Sequence, residues 1–131
     1  MKMEKKTGIF LAVLVLLAAL AVSARVFLSP KVQQGVKTIT VTVEHLEGEA
    51  KTFTHSTDSE YLRGAMEEMG IIEGKESAYG LWVTAIDGET ADESKQQWWG
   101  YSVNGEVSTY GVDSQMIADG DVFTFTLNVG Y

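Results

Sequence analysis

The chain has 131 residues, a formal net charge of −8, 45% hydrophobic residues and no cysteine. The missing cysteine excludes a disulfide framework, a thiolate metal site, a cysteine nucleophile and a cysteine-linked lipid anchor. The acidic excess makes nucleic acid and anionic lipid surfaces poor partners.

The first predicted element is a hydrophobic leader at the N-terminus. Lys2, Lys5 and Lys6 precede a run without charged side chains, residues 9–22. This run is shorter than the roughly 20 residues that span a bilayer, and Val22-Ser23-Ala24 offers small residues for cleavage. It can also extend past Arg25 as an uncleaved anchor if that side chain snorkels. We therefore expect residues 1–28 to form a signal peptide or a single membrane anchor, with the rest of the chain extracellular or at the cell surface.

The remainder of the chain is expected to form a short tether and one domain. Residues 29–35 carry the only proline, and residues 36–131 are enough for one modest domain but too few for two. Beyond residue 28 the chain holds 6 basic and 17 acidic residues, a net charge of −11. Solvation of the surface is the ordinary role of such charge, although cationic ligands and metal ions also tolerate it.

The first half of the domain predicts two strands and one helix. Ile39, Val41 and Val43 alternate with threonines, which is typical of a half-buried strand, and residues 50–55 predict a returning strand. Thr57 and Glu60 have the spacing of a capping box, which predicts a helix beginning at Thr57. A core-facing stripe follows at helical spacing: Tyr61, Leu62, Ala65, Met66 and Met69. Gly70 is expected to end the helix, and residues 73–77 to form a polar link.

The second half predicts strands separated by glycine turns. Residues 79–86 form a strand before the Asp87-Gly88 turn, and residues 98–103 form another before Asn104-Gly105, which favours a type I′ hairpin. Residues 106–110 are expected to return from that hairpin. Residues 122–129 predict the last strand, which places Phe123, Phe125, Leu127 and Val129 on one face.

This order predicts an α+β fold with a β-grasp-like mixed sheet and one helix that covers a single face. Within strand 98–103, alternation places Trp99, Tyr101 and Val103 towards the core and Trp98, Gly100 and Ser102 on the opposite, uncovered face. Both tryptophans could be packing residues, because large aromatic side chains are mostly buried. For Trp98, however, the small neighbours predict space in which a flat ligand could lie against the indole.

Several segments, taken together in their order, resemble the DUF4430 domain, a module similar to the C-terminal domain of transcobalamin and intrinsic factor. They are residues 79–88, Trp98-Trp99, Asn104-Gly105, Gly111-Val112 and Asp119-Gly120-Asp121. The resemblance implies a β-grasp-like ligand-binding domain on an exported protein, with cobalamin as the candidate ligand. It also implies five candidate ligand-binding residues: Trp82, Thr84, Trp98, Trp99 and Tyr101. The cobalamin carriers add a helical domain, which is not expected within residues 1–131, so strong binding by this domain alone is not expected.

These features are compatible with three functions. The leading expectation is a non-enzymatic binding module that contributes one wall of a site for a flat or amphipathic small molecule. The alternative is a protein-interaction or structural module, because free strand edges and apolar faces dock other proteins. The second alternative is a calcium-type metal site, with candidate ligands Asp87, Glu89, Asp92, Glu93, Asp119 and Asp121, although acidic residues around glycine turns are common without metal.

No catalytic function is expected from the sequence. His45 and His55 are the only histidines that could act as near-neutral bases. Gly100-Tyr101-Ser102-Val103-Asn104 departs from the G-x-S-x-G nucleophile elbow at its last position, and it lies on a strand that enters a hairpin rather than a helix.

Overall fold

The computed structural model describes residues 32–131, which form one compact unit. The predicted leader, residues 1–28, lies outside the described residues. The described strands are β1 (Lys37–Glu44), β2 (Lys51–Thr57), β3 (Ile72–Ser77), β4 (Gly80–Ile86), β5 (Glu89–Thr90), β6 (Gln97–Val103), β7 (Glu106–Val107) and β8 (Val122–Val129). Helix α1 (Leu62–Met69) follows β2, and a 3₁₀ turn (Glu93–Lys95) precedes β6.

The strands form two sheets, one large and one small. The large sheet has the order β2-β1-β8-β6-β7, and β1 and β8 pair in parallel while its other neighbours are antiparallel. The small sheet has the order β3-β4-β5. The predicted α+β fold and mixed sheet are confirmed. The sequence interpretation joined all strands in one sheet, whereas the structure separates three of them.

The core lies between one face of the large sheet, α1 and the inner side of the small sheet. Its fully buried side chains include Ile39, Val41 and Val43 from β1, Phe123 and Phe125 from β8, and Leu62 and Met66 from α1. Trp99, Tyr101 and Val103 pack against this core, as the alternation predicts. Val129, at the end of β8, is 61% exposed, so burial along this face ends at Leu127.

The start of α1 differs from the predicted capping box. The helix begins at Leu62, and its N-cap residue Tyr61 makes no side-chain capping bond. Thr57 is instead the last residue of β2, and its hydroxyl accepts a hydrogen bond from the Ser59 amide. The capping-box prediction is wrong because Lys37 of β1 still pairs with Thr57, so the strand extends through the candidate cap. At the other end Gly70 adopts the left-handed conformation, with φ 70°, as predicted.

The segment predicted as a polar link, residues 73–77, forms most of strand β3. Its residues are exposed, so it lacks the alternating apolar pattern that predicts a strand. Its pairing with β4 holds it in place. In residues 32–131, no helix has the length and apolar character needed to cross a membrane.

Candidate ligand cleft

The two sheets leave an open cleft between β4 and β6 because the outer strands β5 and β7 are short. β5 pairs only with Ala85 and Ile86 of β4, and β7 pairs only with Ser102 and Val103 of β6. Within the described residues, therefore, no strand covers the Trp98–Trp99 portion of the β6 edge. Unpaired strand edges offer backbone donors and acceptors to a ligand or partner.

The cleft has a volume of about 700 Å³, which lies within the range of small-molecule sites. All five residues that the resemblance implied as ligand-binding line it: Trp82, Thr84, Trp98, Trp99 and Tyr101. Phe125, Tyr110 and Tyr131 also line it. The structure thus brings the predicted residues of two separate sequence segments to one surface.

Trp98 lies on the outer face of β6 and is held in a defined orientation. Its Nε1 donates a hydrogen bond to the Gly130 carbonyl at 2.8 Å, and the side chain remains 40% exposed. A Cβ added to Gly100 would lie only 2.7 Å from Cζ3 of Trp98 and 3.1 Å from Nδ2 of Asn128. The small residue therefore accommodates the indole of Trp98 itself, and the predicted gap for a ligand beside this ring is wrong at Gly100. A ligand can reach the part of the ring that faces the cleft.

Trp99 and Tyr101 approach the cleft from the core face. Trp99 donates its indole hydrogen to the Glu89 carbonyl at 3.0 Å, which ties β6 to β5. Tyr101 stacks on Phe125, with ring centroids 4.9 Å apart, and its hydroxyl donates to the Tyr110 carbonyl at 2.6 Å. Burial raises the pKa of the Tyr101 hydroxyl, so the group is a neutral donor at physiological pH. These bonds fix both rings before any ligand arrives.

On β4, Trp82 and Thr84 differ in how they are placed. Trp82 is 60% exposed, whereas Leu81 and Val83 on either side of it pack against the core. Thr84 lies at a β-bulge, where the β3 partner shifts from Glu73 to Gly74, and its carbonyl accepts the Ala91 amide at 2.8 Å. A bulge bends the strand and re-aims its side chains locally, so Thr84 does not follow the strict alternation of the rest of β4.

Asp113 fixes the start of β4. Its Oδ2 accepts the Leu81 amide at 2.7 Å, and its Oδ1 accepts Nη1 of Arg63 at 2.7 Å. Arg63 also contacts Glu67 and Glu76, so this cluster joins α1, β3 and β4. Gly80 adopts φ 102°, and a Cβ there would lie 2.7 Å from Oδ2 of Asp113. The wall of the cleft thus depends on a carboxylate that no sequence motif marked.

The candidate calcium ligands are used within the chain. Asp87 and Glu89 contact His45, and Asp92 accepts hydrogen bonds from the Ser94 amide and hydroxyl. Asp119 accepts the Thr38 amide, and Asp121 accepts the Ala118 amide. Across residues 32–131, no three His, Asp or Glu side chains are arranged to hold a metal ion. The structure does not bring these six acidic residues, Glu93 included, to one site.

His45 joins the ends of two sheets behind the cleft. Its Nε2 lies 2.9 Å from Oδ2 of Asp87 and its Nδ1 lies 2.9 Å from Oε1 of Glu89, and the side chain is only 13% exposed. The hydrogen bond to Asp87, together with that to Glu89, raises the His45 pKa above its ordinary value of 6.5 despite burial. Lys51 also contacts Asp87 at 3.2 Å. Only the imidazolium form donates from both ring nitrogens, so the charged form fits this position.

We expect the stability of the domain to decrease as pH rises above about 6.5, through the raised folded-state pKa of His45. A group with a raised folded-state pKa stabilises fully below its unfolded value and loses that contribution on deprotonation. Urea unfolding at a series of pH values measures this, and each lost hydrogen bond to a charged group is worth on the order of 1–2 kcal/mol.

His45→Gln should remove the decrease, whereas His55→Gln, a matched change at a histidine whose ring pairs with Glu68, should retain it. An unchanged slope in His45→Gln would contradict the assignment.

The sequence interpretation named Glu93 only as a candidate calcium ligand and missed Tyr110 and Tyr131, yet all three line the cleft. Glu93 belongs to a 3₁₀ turn, while Tyr110 and Tyr131 lie outside regular strands. No periodicity places such residues on a face. Tyr110 is 62% exposed and Tyr131 is 87% exposed, and exposed aromatic residues are the signal that could have found them.

Comparison with protein families identifies the class to which this domain belongs. The profile described as "Domain of unknown function (DUF4430)" matches residues 59–128, which is more than half of the chain. The chain therefore belongs to the DUF4430 family, as the resemblance implied. No curated protein matches the sequence.

Two solved structures are similar to the domain. A protein from Ruminococcus gnavus ATCC 29149, provisionally described as metal binding and solved at 1.30 Å, is 42% identical. It covers 72% of this chain and 99% of its own, with a TM-score of 0.70. Haptocorrin, solved in complex with cobinamide (Cbi), is 16% identical with a TM-score of 0.66 and shares the fold. The match covers 78% of this chain but only 27% of haptocorrin.

Proposed function

We propose that the cleft binds a flat, amphipathic small molecule, and that a corrinoid such as cobalamin or cobinamide is the class to test first. The observation that carries this proposal is the cleft of about 700 Å³ lined by Trp82, Trp98, Trp99 and Tyr101. Aromatic rings present large apolar faces to a planar ligand at low entropic cost when they are already fixed. The hydrogen bonds of Trp98, Trp99 and Tyr101 supply that fixation.

In this proposal the protein is an exported, non-enzymatic binding module. The lysines and apolar run of residues 1–28 support export as a secreted or anchored protein. The fold shared with haptocorrin supports a ligand-binding role, and the match covers only 27% of that protein. An open cleft contacts a ligand on one side, so we expect affinity in the micromolar range for the domain alone.

Isothermal titration calorimetry of the full-length protein with cyanocobalamin and with cobinamide tests the proposal. Trp98→Ala should weaken binding about tenfold, because an aromatic contact contributes on the order of 1 kcal/mol beyond the area that it buries. Tyr79→Ala is the matched control, since Tyr79 is 99% exposed and does not line the cleft. Absence of binding at millimolar corrinoid by a protein with a folded circular dichroism spectrum would overturn the proposal.

A protein-interaction role is the second candidate. The rim of the cleft carries exposed aromatic side chains, with Trp82 60% and Tyr110 62% exposed. Such residues anchor protein interfaces as readily as they bind ligands. A partner domain seated on the rim would close the cleft from the open side. Size-exclusion chromatography with and without corrinoid distinguishes a monomeric binder from a module that needs a partner.

Metal binding is the third candidate, favoured by the description of the Ruminococcus gnavus relative. Within residues 32–131, no three acidic or histidine side chains are arranged to hold a metal ion, so such a site would need further ligands. Thermal unfolding in calcium chloride and in EDTA tests it directly. Identical unfolding temperatures would exclude a stabilising calcium site.

A further inference from the structure

The cleft is lined by a charged side chain as well as by aromatic ones. Among the residues of 32–131 that line it, Glu93 is the only acidic one, and Lys, Arg and His are absent. Glu93 is exposed on the 3₁₀ turn, and its carboxylate has no ion pair within residues 32–131. Asp87 and Asp113, by contrast, are engaged by basic side chains.

The aromatic side chains that line the cleft favour a cation, as the Glu93 carboxylate does. The faces of indole rings attract cations, and tryptophan does so best among the aromatic side chains. Trp98 and Trp82 both line the cleft and remain partly exposed, at 40% and 60%. A cation in the cleft would therefore meet ring faces and a carboxylate without an opposing basic group.

The same cleft disfavours an anionic ligand. Transfer of a phosphate or carboxylate from water into an apolar cleft is costly unless a donor or a cation replaces its hydration. No basic side chain of the described domain, residues 32–131, lines the cleft, and the chain beyond residue 28 has a net charge of −11. Repulsion from this surface would also slow the approach of an anion.

We propose that the cleft selects flat ligands that carry a positive charge and rejects anionic ones, with Glu93 as the specificity-determining countercharge. This inference rests on the proposed function, because it concerns the same cleft, and it narrows the ligand class. A corrin ring around a trivalent cobalt fits the cationic class, and a phosphate-bearing substituent would have to remain outside the cleft.

A series of acridines with one ring system and three charges tests the selection. N-methylacridinium is a cation, acridine is neutral at pH 8, and acridine-9-carboxylate is an anion. Calorimetric titration of the full-length protein at pH 8 should give about tenfold tighter binding of the cation than of acridine. The anion should bind more weakly than either. Higher salt should weaken binding of the cation, because an exposed charge pair is screened.

Glu93→Gln should weaken binding of the cation about threefold and leave the affinity for acridine unchanged. Glu106→Gln is the matched control, because Glu106 is exposed, lies outside this cleft and contributes the same unit of net charge. An equal loss in both variants would assign the effect to overall charge and overturn the role of Glu93.

Failure of the selection and failure of the site are separate results. If the three acridines bind equally, the charge selection is overturned while the cleft remains a ligand site. If none binds, the selection is overturned as well, and the corrinoid titration alone then decides the proposed function.

Discussion

Phe125→Ala is expected to lower the free energy of unfolding by about 3–5 kcal/mol, the range for an aromatic residue removed from a packed core. Phe125 is 1% exposed, lies on the central strand β8 and stacks on Tyr101. Its removal leaves a cavity directly beneath the cleft, so ligand binding should weaken together with stability. Urea unfolding followed by circular dichroism measures the first effect, and calorimetric titration measures the second.

Val129→Ala is the matched control on the same strand, because Val129 is 61% exposed. Exposed substitutions of this kind usually change stability by less than about 0.5 kcal/mol. A loss in Phe125→Ala as small as that of the control would show that the floor of the cleft is not packed as described.

The second large effect is expected at Asp113. Asp113→Ala removes the acceptor for the Leu81 amide and a carboxylate partner of Arg63, and should cost about 2 kcal/mol because a partly buried donor loses its bond. The start of β4 should also become more mobile, so hydrogen exchange at the Leu81 amide is the most direct measurement. Asp113→Asn keeps an acceptor oxygen and should lose less.

The contribution of Asp113 to the stability of the domain is expected to decrease as pH falls. Burial alone would raise the pKa of Asp113, but the Leu81 amide and Arg63 lower it below its ordinary value of 3.8. A carboxylate with a lowered folded-state pKa stabilises above its unfolded value and loses that contribution as pH falls through the folded-state value. Acid unfolding should therefore shift to higher pH in Asp113→Ala. An unchanged acid midpoint in that variant would contradict the assignment.

The sequence predicted the elements whose patterns are local. The alternation of residues 122–129 predicts β8 with its exact bounds, and Asn104 and Gly105 adopt φ 50° and 88°, as a type I′ turn requires. Strand β3 was missed because every residue from Glu73 to Ser77 is exposed and carries no apolar alternation. Its position depends on pairing with β4, which no local pattern encodes.

Part of the candidate site could likewise be predicted from local sequence patterns, and part could not. Alternation placed Trp98 and Trp99 on opposite faces of β6, and the structure agrees. The cleft itself arises from the shortness of β5 and β7 and from the bulge at Thr84, which depend on contacts between distant segments. The burial of Lys37 is another feature that the sequence did not predict. Its side chain is fully buried, and its Nζ donates to the Gln33 and Gly35 carbonyls.

The position of β8 has a consequence for how the domain forms during synthesis. β8 lies between β1 and β6, so two halves of the large sheet meet only through a strand that is synthesised after the other described strands. Pairings between residues so distant in sequence are slow to form, because a long loop must close before they contribute. A nascent chain that lacks residues 122–129 exposes the apolar faces of β1 and β6 without their partner. The domain is therefore expected to fold only after residues 122–129 have left the ribosome, and until then to depend on factors that shield unpaired strands from aggregation.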